Sequence, residues 1–112
     1  MKNGQAPVIF GDGEQSRDFT YVENVVNANL LACKADRSAC AGEVFNIACG
    51  SRVTLNRMIE SINKIIGKNM KPTYAEPRLG DVKHSQADID KAEKRLGYGV
   101  KTEFDDGLKK II

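Results

Sequence analysis

The clearest periodic pattern in the chain is a stripe of apolar residues between positions 55 and 66. Its members recur at helical spacing with polar residues between them: Leu55, Met58, Ile59, Ile62, Ile65 and Ile66. This spacing places the apolar side chains on one face of an α-helix. Thr54 is a favourable N-cap residue, and Gly67 is of the type that commonly ends a helix. The pattern therefore predicts an amphipathic helix whose apolar face belongs to the core.

Three further stretches have helical patterns. Residues 23–33 carry apolar side chains at helical spacing, and a short helix is predicted from Asp88 to the stop residue Gly97. A last helix follows Thr102. Cys33 is expected to be a small buried residue. The chain is therefore expected to contain about four helices.

Short runs of β-branched and aromatic residues predict the strands. These runs are 7–10, 18–22, 43–48 and 70–76. The last run contains Pro72, which favours an edge strand. Asn46 interrupts the third run, and as a buried amide it is expected to bond neighbouring backbone. Segments 36–42 and 78–86 have no periodicity and are predicted loops. Together with the helices, these strands indicate an α/β fold, a mixed α+β domain of short strands.

Composition narrows the classes of function. The chain has 112 residues, enough for one small domain, and its net charge is +2. So small a charge argues against a nucleic-acid partner, and no apolar run reaches membrane-spanning length, so no membrane partner is expected. Three cysteines without metal-site spacing and one histidine argue against a bound metal. The odd cysteine count fits a reducing, cytoplasmic location.

One turn carries the strongest candidate chemistry. Asp12-Gly13 is typical of a tight turn, and Arg17 follows it immediately before a predicted strand. An arginine next to glycines can meet a phosphate with a planar fork of donors. The alternative is a surface hairpin with a solvated arginine, and spacing alone favours that alternative.

A longer series of sequence motifs favours the phosphate-binding role of Arg17 over the solvated surface arginine. The stretch GDGEQSRDFTYVENVV at 11–26 is joined, in order, by VFNIA at 44–48, EPRLGDVKHS at 76–85 and ADIDKA at 87–92. This series resembles the C-terminal segment of the extended short-chain dehydrogenase/reductases that act on nucleotide sugars. Within them it is most similar to the UDP-glucose and UDP-N-acetylglucosamine 4-epimerases. The resemblance covers nearly the whole chain and implies that residues 1–112 form the UDP-sugar-binding C-terminal part of a Rossmann-type protein.

The resemblance also implies what lies outside this chain. In such epimerases, NAD takes hydride from sugar carbon 4 and returns it to the opposite face of the sugar. The sequence contains neither a Gly-x-Gly-x-x-Gly turn for a dinucleotide nor the Tyr-x-x-x-Lys pair that the family uses for proton transfer. We therefore expect no catalytic residue and no NAD site in this chain. The parent protein would carry both in an N-terminal NAD-binding domain, and it is expected to be a homodimer.

The family pattern also assigns candidate substrate-binding residues. Arg17 and Arg78 would clamp the diphosphate of a UDP-sugar, and Asp81 would accept bonds from the ribose hydroxyls. The backbone of Val8 and Phe10 would face the uracil ring, while their side chains are expected in the core. If the family role did not apply, Arg78 and Asp81 would form a local surface ion pair.

One further position bears on which sugar is accepted. In the resembling epimerases, the residue at Ser85 lies beside the hexose, where a small side chain leaves space for an N-acetyl group. Alternatively, Ser85 only caps a turn beside His84, which is expected to be an exposed loop residue.

Two other readings of the whole chain remain open at this point. The parent could be a nucleotide-sugar dehydratase or decarboxylase of the same superfamily, because the residues that decide the reaction lie largely upstream. The chain could also be a free-standing binding module without activity. A glycine-rich turn and a Tyr-x-x-x-Lys pair upstream of Met1 would favour an enzyme over a binding module.

Overall fold

The computed structural model describes residue 1 and residues 3–112. Along the described chain the elements are β1 (Val8–Phe10), β2 (Ser16–Arg17), α1 (Val22–Lys34), α2 (Arg37–Cys40), β3 (Val53–Thr54), α3 (Leu55–Ile66), β4 (Thr73–Ala75), α4 (Asp90–Leu96) and α5 (Phe104–Ile111). The strands form two separate two-stranded sheets. The predicted mixed α/β architecture with short strands is confirmed.

The first sheet pairs β1 with β4 in parallel, so that Phe10 lies opposite Ala75. Along β1 the side chains alternate between the two faces of the sheet. Ile9 is buried, whereas Val8 and Phe10 are 57% and 38% exposed. The expectation that the Val8 and Phe10 side chains belong to the core is therefore wrong, because only the middle residue of this strand faces inward.

The second sheet pairs β2 with β3 in antiparallel fashion, and Arg17 lies opposite Val53. The predicted strand at 18–22 is wrong, because the strand ends at Arg17 and α1 begins at Val22. The cause is Asp18, whose carboxylate accepts backbone N–H bonds from Cys49 at 2.9 Å and Gly50 at 3.0 Å. Side-chain bonds of this kind compete with a backbone ladder.

The helices agree closely with the sequence pattern. The Thr54 hydroxyl caps α3 by accepting the backbone N–H of Arg57, and Gly67 ends the helix in the left-handed conformation. The other three predicted helices are present as α1, α4 and α5, with boundaries within two residues of those predicted. The difference lies in the predicted loop at 36–42, which contains the one-turn helix α2. A single turn leaves too few residues to show a period.

Residues 43–48, predicted as a strand, form none. Across the described residues, no backbone–backbone hydrogen bond involves positions 44–48. Side chains hold the segment instead: Tyr98 Oη donates to Ala48 O at 2.7 Å, and Lys91 Nζ donates to Val44 O at 2.9 Å. Asn46 is exposed, contrary to expectation, although its amide does donate to the backbone of Asp88 at 3.2 Å.

The core lies between α1 and α4. Its buried centre is formed by Ala28, Ala92 and Tyr98, against which Leu31, Phe45, Ile47, Ile89 and Val100 pack. Cys33 is exposed, so its expected burial is wrong. It follows the buried Asn24 by nine positions, which is two and a half turns of helix and therefore the opposite face of α1.

The described chain is long and thin. Its principal extents are 51 × 32 × 16 Å, and its radius of gyration is 16.9 Å. A compact domain of this length would have a radius of about 13 Å. Few residues can therefore lie far from the solvent-exposed surface.

Candidate functional site

A groove lies where β1 and β4 end, bordered by the loop that follows Pro77. Its volume is about 780 Å³. The groove is lined by residues from three separate segments: Phe10, Gly11, Asp12 and Gln15; Tyr74, Ala75, Glu76, Pro77 and Arg78; and Asp81, Val82 and Lys83. The Gly11 backbone N–H donates to Ala75 O at 2.9 Å, so β1 and β4 stay joined as the chain turns away.

Arg78 and Phe10 meet inside this groove. The guanidinium carbon of Arg78 lies 4.1 Å from the centre of the Phe10 ring, a cation–π contact. The strand end is fixed from the other side by Gln15, whose Nε2 donates to Phe10 O at 2.5 Å. The Phe10 side chain, expected in the core, is thus part of the groove wall.

Arg17 and Asp81, which are far apart in sequence, form an ion pair. Arg17 Nη2 lies 2.5 Å from Asp81 Oδ1, and the two side chains are 31% and 37% exposed. Arg17 Nη1 donates to Ser16 O at 2.8 Å. Pairs this exposed contribute little to stability, so the main effect is to orient both groups. The Asp81 carboxylate pairs with Arg17 and not with Arg78.

The loop carrying Asp81 is attached to β2 at several points. Ser16 N–H donates to Lys83 O at 2.8 Å, and Ser85 N–H donates to Ser16 O at 3.1 Å. The Ser16 hydroxyl also bonds His84 Nδ1 at 2.9 Å. Ser16 and His84 thus form an isolated parallel β-bridge. This bridge attaches the loop to β2 and places it beside Arg17.

Three predicted site residues lie outside the groove lining: Val8, Ser85 and Arg17, the last of which is bonded to the lining residue Asp81. Ser85 is exposed, and its backbone is bonded to β2 rather than turned toward the groove residues. Val8 is also exposed and lies two residues before the groove wall begins at Phe10. The structure therefore brings Arg78, Asp81 and Phe10 together, with Arg17 attached through Asp81, whereas Val8 and Ser85 are not part of the groove lining.

The turn before β2 has room only for glycine at position 13. Gly13 has φ of +78°, and a Cβ built there would lie 2.1 Å from Asn56 Oδ1. Asn56 cannot move aside freely, because its Nδ2 donates to Asp12 O at 3.1 Å and to Glu14 at 2.6 Å. Its Oδ1 accepts the Tyr74 hydroxyl at 3.0 Å. The turn, α3 and β4 are thereby joined along one side of the groove.

Comparison with known proteins identifies the family. A family model described as GDP-mannose 4,6 dehydratase matches residues 1–111. The chain belongs to this family. A putative UDP-glucose 4-epimerase of Methanocaldococcus jannaschii is 37% identical over 112 residues, which are all of this chain and 35% of that protein. This GDP-mannose 4,6 dehydratase family chain thus spans about a third of that relative's length.

Solved structures show the same relation. A Thermotoga maritima UDP-glucose 4-epimerase, crystallised with UDP-glucose, is 42% identical with a TM-score of 0.88, over 97% of this chain and 34% of its own. A UDP-N-acetylglucosamine 4-epimerase from Methanobrevibacter ruminantium, in complex with UDP-N-acetylmuramic acid, is 38% identical with a TM-score of 0.84, over 96% and 33%. The resemblance to nucleotide-sugar epimerases is confirmed, and the matched part is the C-terminal portion of those proteins.

Other kinds of site find no support in the described part of this family chain. No group of three or more metal-ligating side chains occurs there. None of its helices has both the length and the hydropathy needed to cross a bilayer. Burial raises the pKa of the Cys49 thiol, and the charges of Asp18 and Glu103 raise it further. A thiol with a raised pKa is a poor nucleophile at neutral pH.

Sequence reasoning missed three residues of the groove region. Asn56 lies on the polar face of α3, where its residue type gives no sign of a structural role. Tyr74 was counted only as part of the predicted strand 70–76, and the ring of Phe10 was assigned to the core. An aromatic at a strand end next to a glycine turn could have been flagged, because such a ring can face a ligand as readily as the core.

Proposed function

We propose that this chain is the substrate-binding part of an NAD-dependent nucleotide-sugar 4-epimerase, and that its groove binds the UDP portion of the substrate. The observation that carries the proposal is the meeting of Arg78, Asp81 and the end of β1 in one groove, with Arg17 bonded to Asp81. The relatives named as UDP-sugar 4-epimerases support the same reading.

Each residue has a role that its geometry permits. Arg78 offers its guanidinium to the diphosphate, with Arg17 as the second arginine of the clamp. Asp81 uses Oδ1 for Arg17, which leaves Oδ2 to accept ribose hydroxyls. The backbone of Phe10, at the groove wall, would face the uracil together with that of Val8, two residues earlier in β1. Gripping this remote part of the substrate positions the reacting sugar while leaving it free to turn over.

NAD supplies the hydride acceptor in this chemistry when it is bound. No residue of this chain is assigned to it, because the sequence lacks the glycine-rich turn and the Tyr-x-x-x-Lys pair. We expect the 112-residue chain alone to bind no stoichiometric NAD and to leave UDP-glucose unchanged. Turnover above a buffer blank, followed by NMR of the sugar anomeric protons, would contradict this expectation.

The groove is tested by calorimetric titration of the chain with UDP. We expect UDP to bind, and Arg17→Ala and Arg78→Ala each to weaken binding by roughly 1.5–3 kcal/mol, the scale of hydrogen bonds to charged groups. Arg37→Ala removes an exposed arginine outside the groove and is the matched control. Equal losses in all three variants would mean that the arginines act only through net charge, and the groove assignment would fail.

The substrate class is proposed from Ser85. A small residue there is consistent with an N-acetylated sugar, because a large ring would fill the space by steric exclusion. In a longer protein that contains this chain, Ser85→Tyr should selectively lower kcat/KM for UDP-N-acetylhexoses and spare UDP-glucose. Ser38→Tyr, an exposed serine on α2, is the control. A variant that loses both substrate pairs equally would show that Ser85 only holds the loop.

A second candidate reaction is dehydration, favoured by the description of the matching family. A decarboxylase of the same superfamily is a variant of this reading. The reactions differ in product: an epimerase yields the 4-epimer, a dehydratase a 4-keto-6-deoxy sugar, and a decarboxylase a pentose. NMR of the product formed by the longer protein separates them. If that protein binds UDP but forms no product, a binding module remains.

A further inference from the structure

Arg78 is anchored in an unusual way for an exposed arginine. Within the described chain, no carboxylate forms an ion pair with it, and none of the hydrogen bonds uses its N–H groups. Its side chain instead lies over the Phe10 ring at 4.1 Å. Next to it on the loop, Leu79 is fully exposed. The ring is therefore the only described feature that restrains the end of this long side chain.

The backbone that carries the ring is held by several contacts. Phe10 belongs to β1, where its neighbour Ile9 is buried and its register partner is Ala75. Gln15 Nε2 holds the Phe10 carbonyl at 2.5 Å. The ring is thus carried by a held backbone and can restrain the guanidinium of Arg78, whose described side-chain contact is with Phe10.

The two arginines differ in what they have left to offer. Arg17 uses Nη1 for Ser16 O and Nη2 for Asp81. The guanidinium carbon of Arg78 lies over the Phe10 ring, and none of its N–H groups has a described hydrogen-bond partner, so these donors remain available to a ligand. Stacking also limits the rotamers of a flexible side chain before a ligand arrives, which reduces the entropy lost on binding.

We propose that Phe10 is a positioning residue that holds Arg78 with its donor edge toward the diphosphate of the bound nucleotide. The inference rests on the proposed function and deepens it, since it makes Arg78 the principal diphosphate ligand and gives the Phe10 side chain a role of its own. Phe10 acts through Arg78 and not through the base.

The test is a double-variant cycle in the 112-residue chain, using Phe10→Leu, Arg78→Ala and the two combined. UDP and UMP are the titrated ligands. Phe10→Leu should raise the Kd for UDP roughly two- to five-fold, as expected for an exposed cation–π contact. The effect should be smaller for UMP, which has no diphosphate. It should vanish when Arg78 is already alanine, and Phe10→Tyr should restore binding because tyrosine keeps the ring.

Several results would overturn the inference. A Phe10→Leu effect that persists beside Arg78→Ala, and is equal for UDP and UMP, would mean that the ring contacts the base. An effect that follows a lowered unfolding midpoint in Phe10→Leu and is not restored by tyrosine would make the role structural. An unchanged Kd would exclude any role in binding.

The stack itself is measured without ligand. The δ protons of Arg78 should show a ring-current shift in the NMR spectrum that Phe10→Leu removes. Absence of that shift would contradict the inference whatever UDP does. If the shift is present and the unaltered chain binds no UDP, it is the proposed function that has failed, and the ligand role of the stack fails with it.

Discussion

Asn24 links α1 to the segment between α4 and α5 through buried hydrogen bonds. It is completely buried on α1, and its amide reaches the segment between α4 and α5. Its Nδ2 donates to Thr102 O at 2.8 Å, and its Oδ1 accepts the backbone N–H groups of Lys101 and Thr102 at 3.0 Å each. Three backbone groups remote in sequence are thus satisfied by one side chain.

Asn24→Ala should therefore destabilise the chain strongly. Removing the amide leaves buried backbone groups of Thr102 without partners, and we expect a loss of about 2–4 kcal/mol in the free energy of unfolding. Asn29→Ala, an exposed site on the same helix, should change it by less than about 0.5 kcal/mol. Urea unfolding followed by circular dichroism measures both, and similar midpoints for the two variants would refute the role of Asn24.

The sequence could not identify Asn24. The residue lies within a helical pattern, and the backbone groups that it bonds are more than seventy positions away. Sequence reasoning chose Asn46 instead, because it interrupts an apolar run, and Asn46 is exposed. Arg17 and Asp81 could be singled out as candidates because each lies in a recognisable sequence motif. The contact between Arg78 and Phe10 could not be predicted, because it depends on the parallel pairing of β1 with β4, which no local pattern specifies.

Among the elements, α5 is attached to its neighbours through charged groups. Asp105 accepts the hydroxyl of the buried Ser61 at 2.7 Å and pairs with Arg57 at 2.8 Å, which joins α5 to α3. The Ser61 hydrogen bond and the Arg57 charge lower the pKa of Asp105 below its ordinary value. At the other end of α5, bonds from Lys110 and Thr102 lower the pKa of Glu23.

This attachment should make stability depend on pH. A carboxyl group whose pKa is lower in the folded state stabilises the fold above its unfolded pKa of about 3.9, and this contribution is lost as pH falls through the lower folded value. Asp105→Asn should therefore lower the urea midpoint at pH 6, and this effect should shrink as pH falls below about 3.9. Asp106→Asn, whose partner Lys109 lies within the same helix, is the control. A constant effect of Asp105→Asn across this range would exclude the electrostatic explanation.

The elements also show which predictions local patterns support. The helices were predicted closely, because caps and periodicity are local properties, as at Thr54 and Gly67. The strand predicted at 43–48 was wrong because a strand needs a neighbour, and the described chain provides none. Its apolar side chains Phe45 and Ile47 nevertheless pack on the core.

At the scale of the whole molecule, one face of α1 is conspicuously apolar and exposed. Val22, Val26 and Leu30 are 63%, 51% and 55% exposed, and the exposed Cys33 follows them on the same side. In a longer protein we expect this face to pack against the additional two-thirds of chain that the relatives have. In the 112-residue chain alone, a second copy is the partner that can cover it.

We therefore expect the isolated chain to self-associate as its concentration rises. Val26→Glu combined with Leu30→Glu should shift it toward monomer, because self-association through α1 would then bury unpaired carboxylates in the interface. Leu79→Glu, an exposed apolar residue away from α1, should not. Light scattering coupled to size-exclusion chromatography measures the mass, and a monomer at all concentrations would contradict the prediction.

The 16 Å thickness of the molecule has a thermal consequence. Two packed helices have axes about 8–10 Å apart, so this body is scarcely more than two layers of elements thick. Unfolding such a flat molecule exposes less apolar surface to water than unfolding a spherical domain with the same number of residues. The heat-capacity change of unfolding and the slope of stability against urea, which both follow that surface, should fall below those of compact domains of this size. Its stability curve should consequently be flat, with broad melting and little change over a wide range of temperature.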